Sequence, residues 1–294
     1  MKYKKYKNYF DYLYLILLGI ITSFSLPPYN FWIINFITFS LLFTFLINNK
    51  DNDFKKFFLY GYTFGFGYFF SCMYWIPFSL LYDDNFKFLI PIAIIFIPAI
   101  LSFFYSIAFF IFKYFLKSKN IFKNILIFSL VLGLFEFIRG TILSGFPWNL
   151  FAYSFSEHIK LIQVNSIIGI YAFNTILITI FAIPSILLLD RTRGNFLGII
   201  VVIILVLSNY VYGSLKVKNF KNLKTEQLPA EIKILSTNIP IERFYSNLDD
   251  EEILKKLIKL SKPKINEDAI FIWPEGVIPN LNLNSLKDKY ELLL

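Results

Sequence analysis

Long runs of apolar residues recur along the first 215 positions and constrain the fold more than any other feature of the sequence. Of the 294 residues, 56% are hydrophobic and 17% are charged, a balance outside the range of soluble proteins. Because a helix needs roughly 20 apolar residues to cross the hydrocarbon core, the sequence predicts an α-helical polytopic membrane bundle of about seven spans. These spans are Tyr12–Leu26, Phe31–Ile47, Phe57–Leu81, Phe88–Phe112, Ile125–Leu143, Leu161–Leu189 and Phe196–Leu215.

Three of these spans leave alternatives open. The first two are short and are separated by Pro27-Pro28-Tyr29-Asn30, so they could instead form a hairpin that only dips into the bilayer. The fifth contains Glu136 and Arg139, and ionisable groups within a span are costly unless they are paired or near the interface. These two side chains stand three residues apart on one helix, so they can pair locally or serve a substrate.

The distribution of lysine and arginine between successive connections predicts the orientation of the bundle. The connections on one side contain only Lys87, Arg139 and Lys160, whereas the alternate set is rich in basic residues. Because basic connections stay in the cytoplasm, we expect a cytoplasmic N-terminus and an extracytoplasmic segment after Leu215. We attribute the net charge of +9 to this orientation rather than to nucleic-acid binding, since no nucleic-acid motif accompanies it. The basic set comprises Lys2, Lys4, Lys5, Lys7, Lys50, Lys55, Lys56, Lys113, Lys117, Lys119, Lys123, Arg191 and Arg193.

The composition changes after the last apolar run and divides the chain into a membrane bundle (1–215), a polar linker (216–231) and an α/β unit (232–294). The α/β pattern predicts a strand over Ile232–Ile239, a helix over Ser246–Lys262 and a strand over Ala269–Trp273. The second strand is continuously apolar, as is typical of a strand covered on both faces. A β-α-β unit of roughly 60 residues with open edges is marginal by itself, so we expect more chain or a second polypeptide to complete it.

Few residues in the sequence carry recognisable chemistry. Cys72 and His158 are each the sole residue of their type, so we expect neither a disulfide nor a Cys/His metal site. We interpret Cys72 as a buried structural thiol and His158 as a solvated interfacial side chain, with headgroup contact as the alternative. Gly145-Phe-Pro-Trp148 fits either an aromatic interfacial anchor or a functional loop on the outer side of the membrane. Glu275, which follows the second strand, fits either an exposed turn residue or a general base.

Several short motifs, in this order and spacing, resemble those of the apolipoprotein N-acyltransferase family. That family has a membrane bundle with a nitrilase-superfamily domain on its periplasmic side. The resemblance therefore implies a nitrilase-like (CN-hydrolase) fold, of α-β-β-α type and incomplete, for residues 232–294. The motifs are Ser25-Leu-Pro-Pro-Tyr-Asn-Phe-Trp32, Gly65-Phe-Gly67 with Tyr74-Trp75, Phe135-Glu-Phe-Ile-Arg-Gly140, Ser144-Gly-Phe-Pro-Trp148, Thr237-Asn-Ile-Pro240 and Ile272-Trp-Pro-Glu-Gly-Val-Ile-Pro279.

The resemblance also implies a function and a place for it. Family members use a Glu-Lys-Cys triad to move an acyl chain from a phospholipid, through a Cys thioester, to the α-amino group of a lipid-modified N-terminal cysteine on an apolipoprotein. Glu275 matches the general base, while Glu136, Arg139, Phe146, Pro147 and Trp148 become substrate-binding candidates. The resemblance further implies a bacterial inner membrane location and no cofactor, since the lipid is the acyl donor.

The family lysine and cysteine lie well downstream of the Trp-Pro-Glu motif. Lys287 and Lys289 are too close to Glu275 to match that lysine, and Cys72 lies on the wrong segment to match the cysteine. We therefore expect the 294-residue polypeptide to be inactive alone. The alternative is a non-catalytic membrane protein, either a degenerate relative that binds lipid or lipoprotein or a transporter-like bundle. A transporter is disfavoured because the sequence shows no internal repeat.

Overall fold

The computed structural model describes residues 2–142, 145–190, 192–223, 230–237, 250–264 and 268–278. The chain divides into two compact units, Met1–Asn222 and Leu223–Leu294. In the first unit, short 3₁₀ helices occupy Ile76–Tyr82, Lys87–Leu89 and Phe151–Phe155. Its α-helices are α1 (Lys2–Ser23), α2 (Ile34–Asn48), α3 (Phe54–Met73), α4 (Ile90–Phe115), α5 (Ile121–Thr141), α6 (Ile159–Ile162), α7 (Asn165–Ala182), α8 (Ser185–Leu189) and α9 (Arg193–Lys221).

Each of the seven apolar runs contains a helix, but not every helix is long enough to count as a span. Four helical segments of the described chain meet the length and composition needed to cross a membrane, and a fifth does so if α3 and Ile76–Tyr82, bent by 42° between them, form one span. Tyr9–Ser23 and Ile34–Asn48 are shorter apolar helices. The first unit is therefore a multi-pass helical bundle, and seven spans stay a prediction. The four long segments are Lys87–Phe115, Ile121–Thr141, Asn165–Leu189 and Arg193–Lys221.

The boundaries of two helices follow from residues that the sequence places at their ends. Asp53 caps α3 by accepting a hydrogen bond from the Lys56 backbone N–H at 2.9 Å, and Asn120 caps α5 in the same way from Lys123 at 2.9 Å. The last helix, α9, continues past the predicted span end at Leu215 to Lys221, into the first part of the predicted linker. Lysine is a good helix former with a long flexible stem, so basic residues prolong a helix beyond the hydrocarbon layer.

The closest helix packing in the bundle occurs where glycines allow backbones to approach. A Cβ atom on Gly67 of α3 would collide with the Ile16 carbonyl of α1, and one on Gly19 of α1 would collide with the Phe64 carbonyl of α3. Gly61 makes the equivalent close approach to the Tyr105 carbonyl of α4. Small residues at helix contacts are typical of membrane bundles, where packing rather than water exclusion holds helices together. The sequence thereby places α3 between α1 and α4.

The second unit contains a parallel strand pair and one helix among its described residues. Strand β1 (Glu231–Ile234) pairs with β2 (Ala269–Ile272), and α10 (Asp250–Ser261) lies between them in the chain, which confirms the predicted β-α-β order. Residues 238–249 and 279–294 lie outside the described residues, and so do the strand end predicted at Ile239 and the helix start predicted at Ser246.

The prediction that the second strand is covered on both faces is wrong for the described structure. Ile270 and Ile272 are 54% and 45% exposed, whereas Ala269 and Phe271 on the opposite face are half-buried. The physical reason is that α10 directs its apolar stripe, including Ile253 and Leu257, at residues that follow β2 rather than at this face. Those residues are Trp273, Val277 and Ile278.

We predict that Gly67→Ala destabilises the bundle, because even one methyl group must push α1 away from α3. Overpacking of a close contact typically costs about 1–3 kcal/mol. The measurement is the thermal unfolding midpoint of the detergent-solubilised protein. Gly194→Ala is the matched control, since the nearest atom to a Cβ there is Asn120 Nδ2 at an ordinary 3.6 Å. Equal midpoints for the two variants would contradict the close approach of α1 and α3.

Candidate functional site

Glu275, the carboxylate that the sequence singles out, lies in a turn directly after β2. The turn is exposed at Pro274, Glu275 and Gly276, and Gly276 has a φ of 62°, a left-handed conformation that glycine adopts without strain. Val277 is buried against α10, which anchors the chain immediately beyond the turn. Glu275 is thus presented to solvent between a strand and a buried residue, an arrangement that leaves its carboxylate accessible.

The register of the two strands brings a second polar residue to the same edge of the sheet. Ile234 pairs with Ile272 at the carboxyl ends of β1 and β2, and the Leu235 N–H donates to the Ile272 carbonyl at 3.0 Å. Thr237 comes three residues after Ile234 in the chain, and Glu275 comes three residues after Ile272. The carboxyl edge of a parallel sheet is where α/β folds place their sites. Thr237 is buried, and residues 238–240 of its motif lie outside the described residues.

Glu136 and Arg139 form a buried ion pair inside the bundle. Arg139 Nη2 contacts Glu136 Oε2, both side chains are fully buried, and the Tyr105 hydroxyl of α4 donates to the other carboxylate oxygen, Oε1. The Arg139 guanidinium also lies over the Phe69 ring of α3, 5.2 Å from its centroid. The local pairing left open by the sequence is therefore the arrangement observed. A charge pair with a donor and an aromatic face around it avoids the cost of unpaired charge in a membrane.

The same ion pair holds the segment 145–149, which contains the Phe-Pro-Trp motif. Arg139 Nη1 donates to the Phe146 carbonyl at 2.7 Å, and the Phe146 N–H donates back to the Arg139 carbonyl at 2.9 Å. At the far end of the segment, the Tyr68 hydroxyl of α3 donates to the Asn149 carbonyl at 2.8 Å. The non-helical backbone here is satisfied by buried side chains of α3 and α5, as backbone within a membrane bundle must be.

The segment presents its aromatic side chains outward. The Trp148 ring stacks on Trp75, with centroids 5.8 Å apart and planes 13° apart, and both indoles remain exposed. Phe146 packs against Trp148 at 5.4 Å. The Pro147 carbonyl accepts a 3.2 Å hydrogen bond from the Tyr153 hydroxyl, and burial raises the pKa of that phenol. The structure thus brings Phe146, Pro147 and Trp148 together with Arg139, while the side chain of Glu136 lies beneath them.

The other two residues that the sequence analysis considered, His158 and Cys72, lie in different parts of the first unit. His158 precedes α6, where its ring lies edge-on to Trp32 and Phe155, with centroids 5.6 and 5.7 Å away. Cys72 is a free, partly buried cysteine near the end of α3. In the part of the chain that the structure describes, no three His, Cys, Asp or Glu side chains lie close enough to hold a metal ion.

Sequence reasoning missed Tyr105, Tyr68 and Asn149, which complete the ion-pair network. A signal was available for Tyr105, because Ser102 and Ser106 share its face of an otherwise apolar helix and all three are buried. Polar residues in a membrane span usually face the interior of the bundle. Tyr68 had no comparable signal, since in a chain with 19 tyrosines one more phenol is unremarkable.

We predict that Arg139→Met destabilises the protein strongly, because it leaves the Glu136 carboxylate buried without its cation. Breaking one partner of a buried pair costs about 3–5 kcal/mol. Tyr105→Phe should cost about 1–3 kcal/mol, since it removes one donor to the same carboxylate. Both are measured as unfolding midpoints in detergent against Lys123→Met, which neutralises an exposed lysine on the same helix. An Arg139→Met midpoint equal to that of the control would show that the ion pair does not stabilise the bundle.

Comparison with known proteins places these features in a family. Residues 18–183 match the family model described as the apolipoprotein N-acyltransferase N-terminal domain. The chain is 30% identical over 280 residues to the apolipoprotein N-acyltransferase of Rhodopseudomonas palustris, covering 90% of this chain and 51% of the relative. It is 34% identical over 273 residues to that of Rickettsia prowazekii, covering 90% and 51%, and 33% identical over 267 residues to that of Rickettsia typhi, covering 89% and 51%.

The chain thus spans about half the length of the curated relatives that it matches. The region that matches the family model extends from the last part of α1 to the end of α7, and it includes the buried ion pair and the segment 145–149. This protein belongs to the apolipoprotein N-acyltransferase family.

Proposed function

We propose that this chain provides the membrane bundle and the general base of an apolipoprotein N-acyltransferase, and that residues 232–294 form the first part of a nitrilase-like domain. The observation that carries the proposal is the position of Glu275, at the carboxyl end of a strand in a parallel pair, within the Trp-Pro-Glu turn. The described residues of this unit fit the β-α-β beginning of such a domain. The acyl-transfer activity is proposed because the similar proteins are apolipoprotein N-acyltransferases.

The proposed chemistry is a two-step acyl transfer. Glu275 accepts the proton of a cysteine thiol, and the thiolate attacks the ester carbonyl of a phospholipid to form a thioester. The lysophospholipid alkoxide leaves and takes up a proton. The free α-amino group of a diacylglyceryl-cysteine on an apolipoprotein then attacks the thioester, which forms an amide and regenerates the thiol. In the family a lysine stabilises the oxyanion that precedes each collapse.

The position of Glu275 between β2 and the buried Val277 suits the role of a base. A general base must keep its geometry relative to the proton that it removes, and residues at strand ends move less than residues in long loops. The turn is exposed, so another protein segment that carries a thiol can reach it. Within the 294 residues the one cysteine, Cys72, belongs to α3 in the other unit, so a test must supply the family nucleophile from a relative.

Phe146, Pro147 and Trp148 are proposed to contact the phospholipid acyl chain, as an aromatic surface held by Arg139. The Trp75–Trp148 stack offers a flat apolar face, and aromatic side chains of this kind concentrate at the membrane interface. Glu136 is proposed to act only through Arg139, because its side chain is fully buried. No cofactor enters this scheme, since the acyl group is transferred without a change in oxidation state.

We predict that a fusion of residues 1–294 to the matching C-terminal half of the Rhodopseudomonas palustris relative acylates lipoprotein N-termini, and that Glu275→Gln reduces this activity by about 10²–10⁴-fold. Glutamine keeps the size of the side chain but does not accept a proton. The measurement is mass spectrometry of a lipoprotein N-terminal peptide from cells depleted of their own enzyme.

Glu252→Gln is the matched control for this experiment, because it removes an exposed carboxylate from α10 in the same unit. A Glu275→Gln fusion as active as the control would overturn the role of Glu275. A parent fusion that accumulates in the membrane but leaves every lipoprotein unacylated would overturn the proposed function itself.

The proposed location is a bacterial inner membrane, with the N-terminus in the cytoplasm and the second unit outside. We predict that a membrane-impermeant maleimide labels Asp268→Cys and Ser156→Cys on intact spheroplasts but labels Lys119→Cys only after permeabilisation. All three positions are exposed, and each change is made in a Cys72→Ser background that provides the unlabelled control. Labelling of Lys119→Cys from outside together with protection of Asp268→Cys would reverse the orientation.

A further inference from the structure

An apolar crevice separates α7 from α9 in the membrane bundle. It has a volume of about 620 Å³, within the range of roughly 300–1,000 Å³ typical of small-molecule sites. Its lining includes two buried aliphatic side chains, Leu177 of α7 at 4% and Val202 of α9 at 6% exposed, together with Ile180 and Val206 on the same two helices. The crevice is open between two membrane-spanning helices, so lipid rather than water is the medium that reaches it.

The crevice follows from where α9 contacts its neighbours, which is near its two ends. Near its start, the Asn195 Oδ1 atom accepts a 3.1 Å hydrogen bond from the Phe122 N–H of α5. Near its other end, Asn209 Nδ2 donates to the Leu161 carbonyl of α6 at 3.0 Å, and Gly213 lies so close to the Lys160 carbonyl that a Cβ atom would collide with it. One end of α9 is held by α5 and the other by α6, so the middle of α9 does not pack against α7.

Polar groups gather at one end of the crevice. Asn209 and Tyr212 line that end, and the Asn209 Oδ1 atom is buried without a hydrogen-bond partner among the described residues. Lys160, which precedes the lining residue Leu161, is exposed, and its ammonium lies 3.3 Å from the hydroxyl of Tyr210, the residue after Asn209. A cation therefore lies next to one end of the crevice, which also has an unused acceptor, while the rest of the lining is almost entirely apolar. The cation matches a phosphate, the acceptor matches a hydroxyl or amine donor elsewhere in the headgroup, and the apolar lining matches an acyl chain.

The length of the crevice agrees with the same ligand. It runs along α9 from Ile199 to Tyr212, about 20 Å at a rise of about 1.5 Å per residue. One leaflet contributes about 15 Å, half of a hydrocarbon core of about 30 Å. An acyl chain that starts near Asn209 can therefore lie in the crevice along its whole depth in that leaflet.

We infer that the crevice between α7 and α9 binds one glycerophospholipid, with an acyl chain between Leu177 and Val202 and the phosphate at Lys160. No acyl transfer is assigned to this site, and it contains no nucleophile that the proposed mechanism uses. The bound lipid fills the space between α7 and α9 and so packs against both helices as a structural component of the bundle. The inference is independent of the proposed function, since a loss of lipid here and a loss of acylation by Glu275→Gln are separate measurements.

The test uses the 294-residue protein in dodecyl maltoside micelles, which contain no phosphate, with a trace of phosphatidylglycerol that carries a diazirine in its acyl chain. Crosslinks located by peptide mass spectrometry should occur at Leu177 and Val202 at least tenfold more often than at Leu130 and Ile204, which are exposed outside the crevice. Equal labelling of the two groups would indicate lipid bound only in the annular layer and would overturn the site.

Three variants and a competition experiment test the assignment further. Val202→Trp fills the crevice and should reduce labelling of Leu177 at least tenfold, whereas Ile204→Trp adds the same side chain outside it and should leave labelling unchanged. Unlabelled phosphatidylglycerol should compete at least tenfold better than diacylglycerol with the same chains, and Lys160→Gln should reduce that preference to threefold or less. Equal competition in the parent protein would overturn the phosphate contact even if Val202→Trp failed to fold.

Discussion

The hydrocarbon layer contains no water to satisfy polar groups, and most features of the first unit follow from that constraint. Backbone groups must be paired within the chain, so each apolar run adopts a helix, and the non-helical segment 145–149 is held by donors from Arg139 and Tyr68. The Glu136–Arg139 pair is tolerated because Tyr105 and an aromatic ring complete its surroundings. These buried polar groups therefore hold one surface segment, 145–149, in place.

Helix packing in the same unit depends on a second constraint, since apolar side chains gain little by leaving lipid for protein. Close contact is achieved through glycine at α1–α3 and α3–α4, where backbones approach directly. By contrast α9 contacts its neighbours mainly at its two ends, through Asn195, Asn209 and Gly213. The bundle consequently has a tightly packed part around α3 and a looser part around α9 that accommodates lipid.

Much of this architecture could be predicted from the sequence, for reasons that particular residues make clear. Hydropathy predicts helices because their backbones pair locally, and the caps Asp53 and Asn120 lie where the apolar runs begin. The β-α-β order was predictable for the same reason, since strand length and helix periodicity are local properties. The end of α9 was placed too early, because composition changes at Lys216 while the helix continues to Lys221. The burial of β2 was also predicted wrongly, because burial depends on the elements that surround a strand.

The class of the protein, its helical runs, its family motifs and the place of Glu275 after a strand could all be read from residues that are neighbours in the chain. Three features required the folded structure: the hydrogen bond from Tyr105 to the Glu136–Arg139 pair, the contact of this pair with the Phe146 backbone, and the separation of α9 from α7. These features join residues from different helices. Their partners depend on how the helices approach one another in three dimensions, which no local pattern specifies.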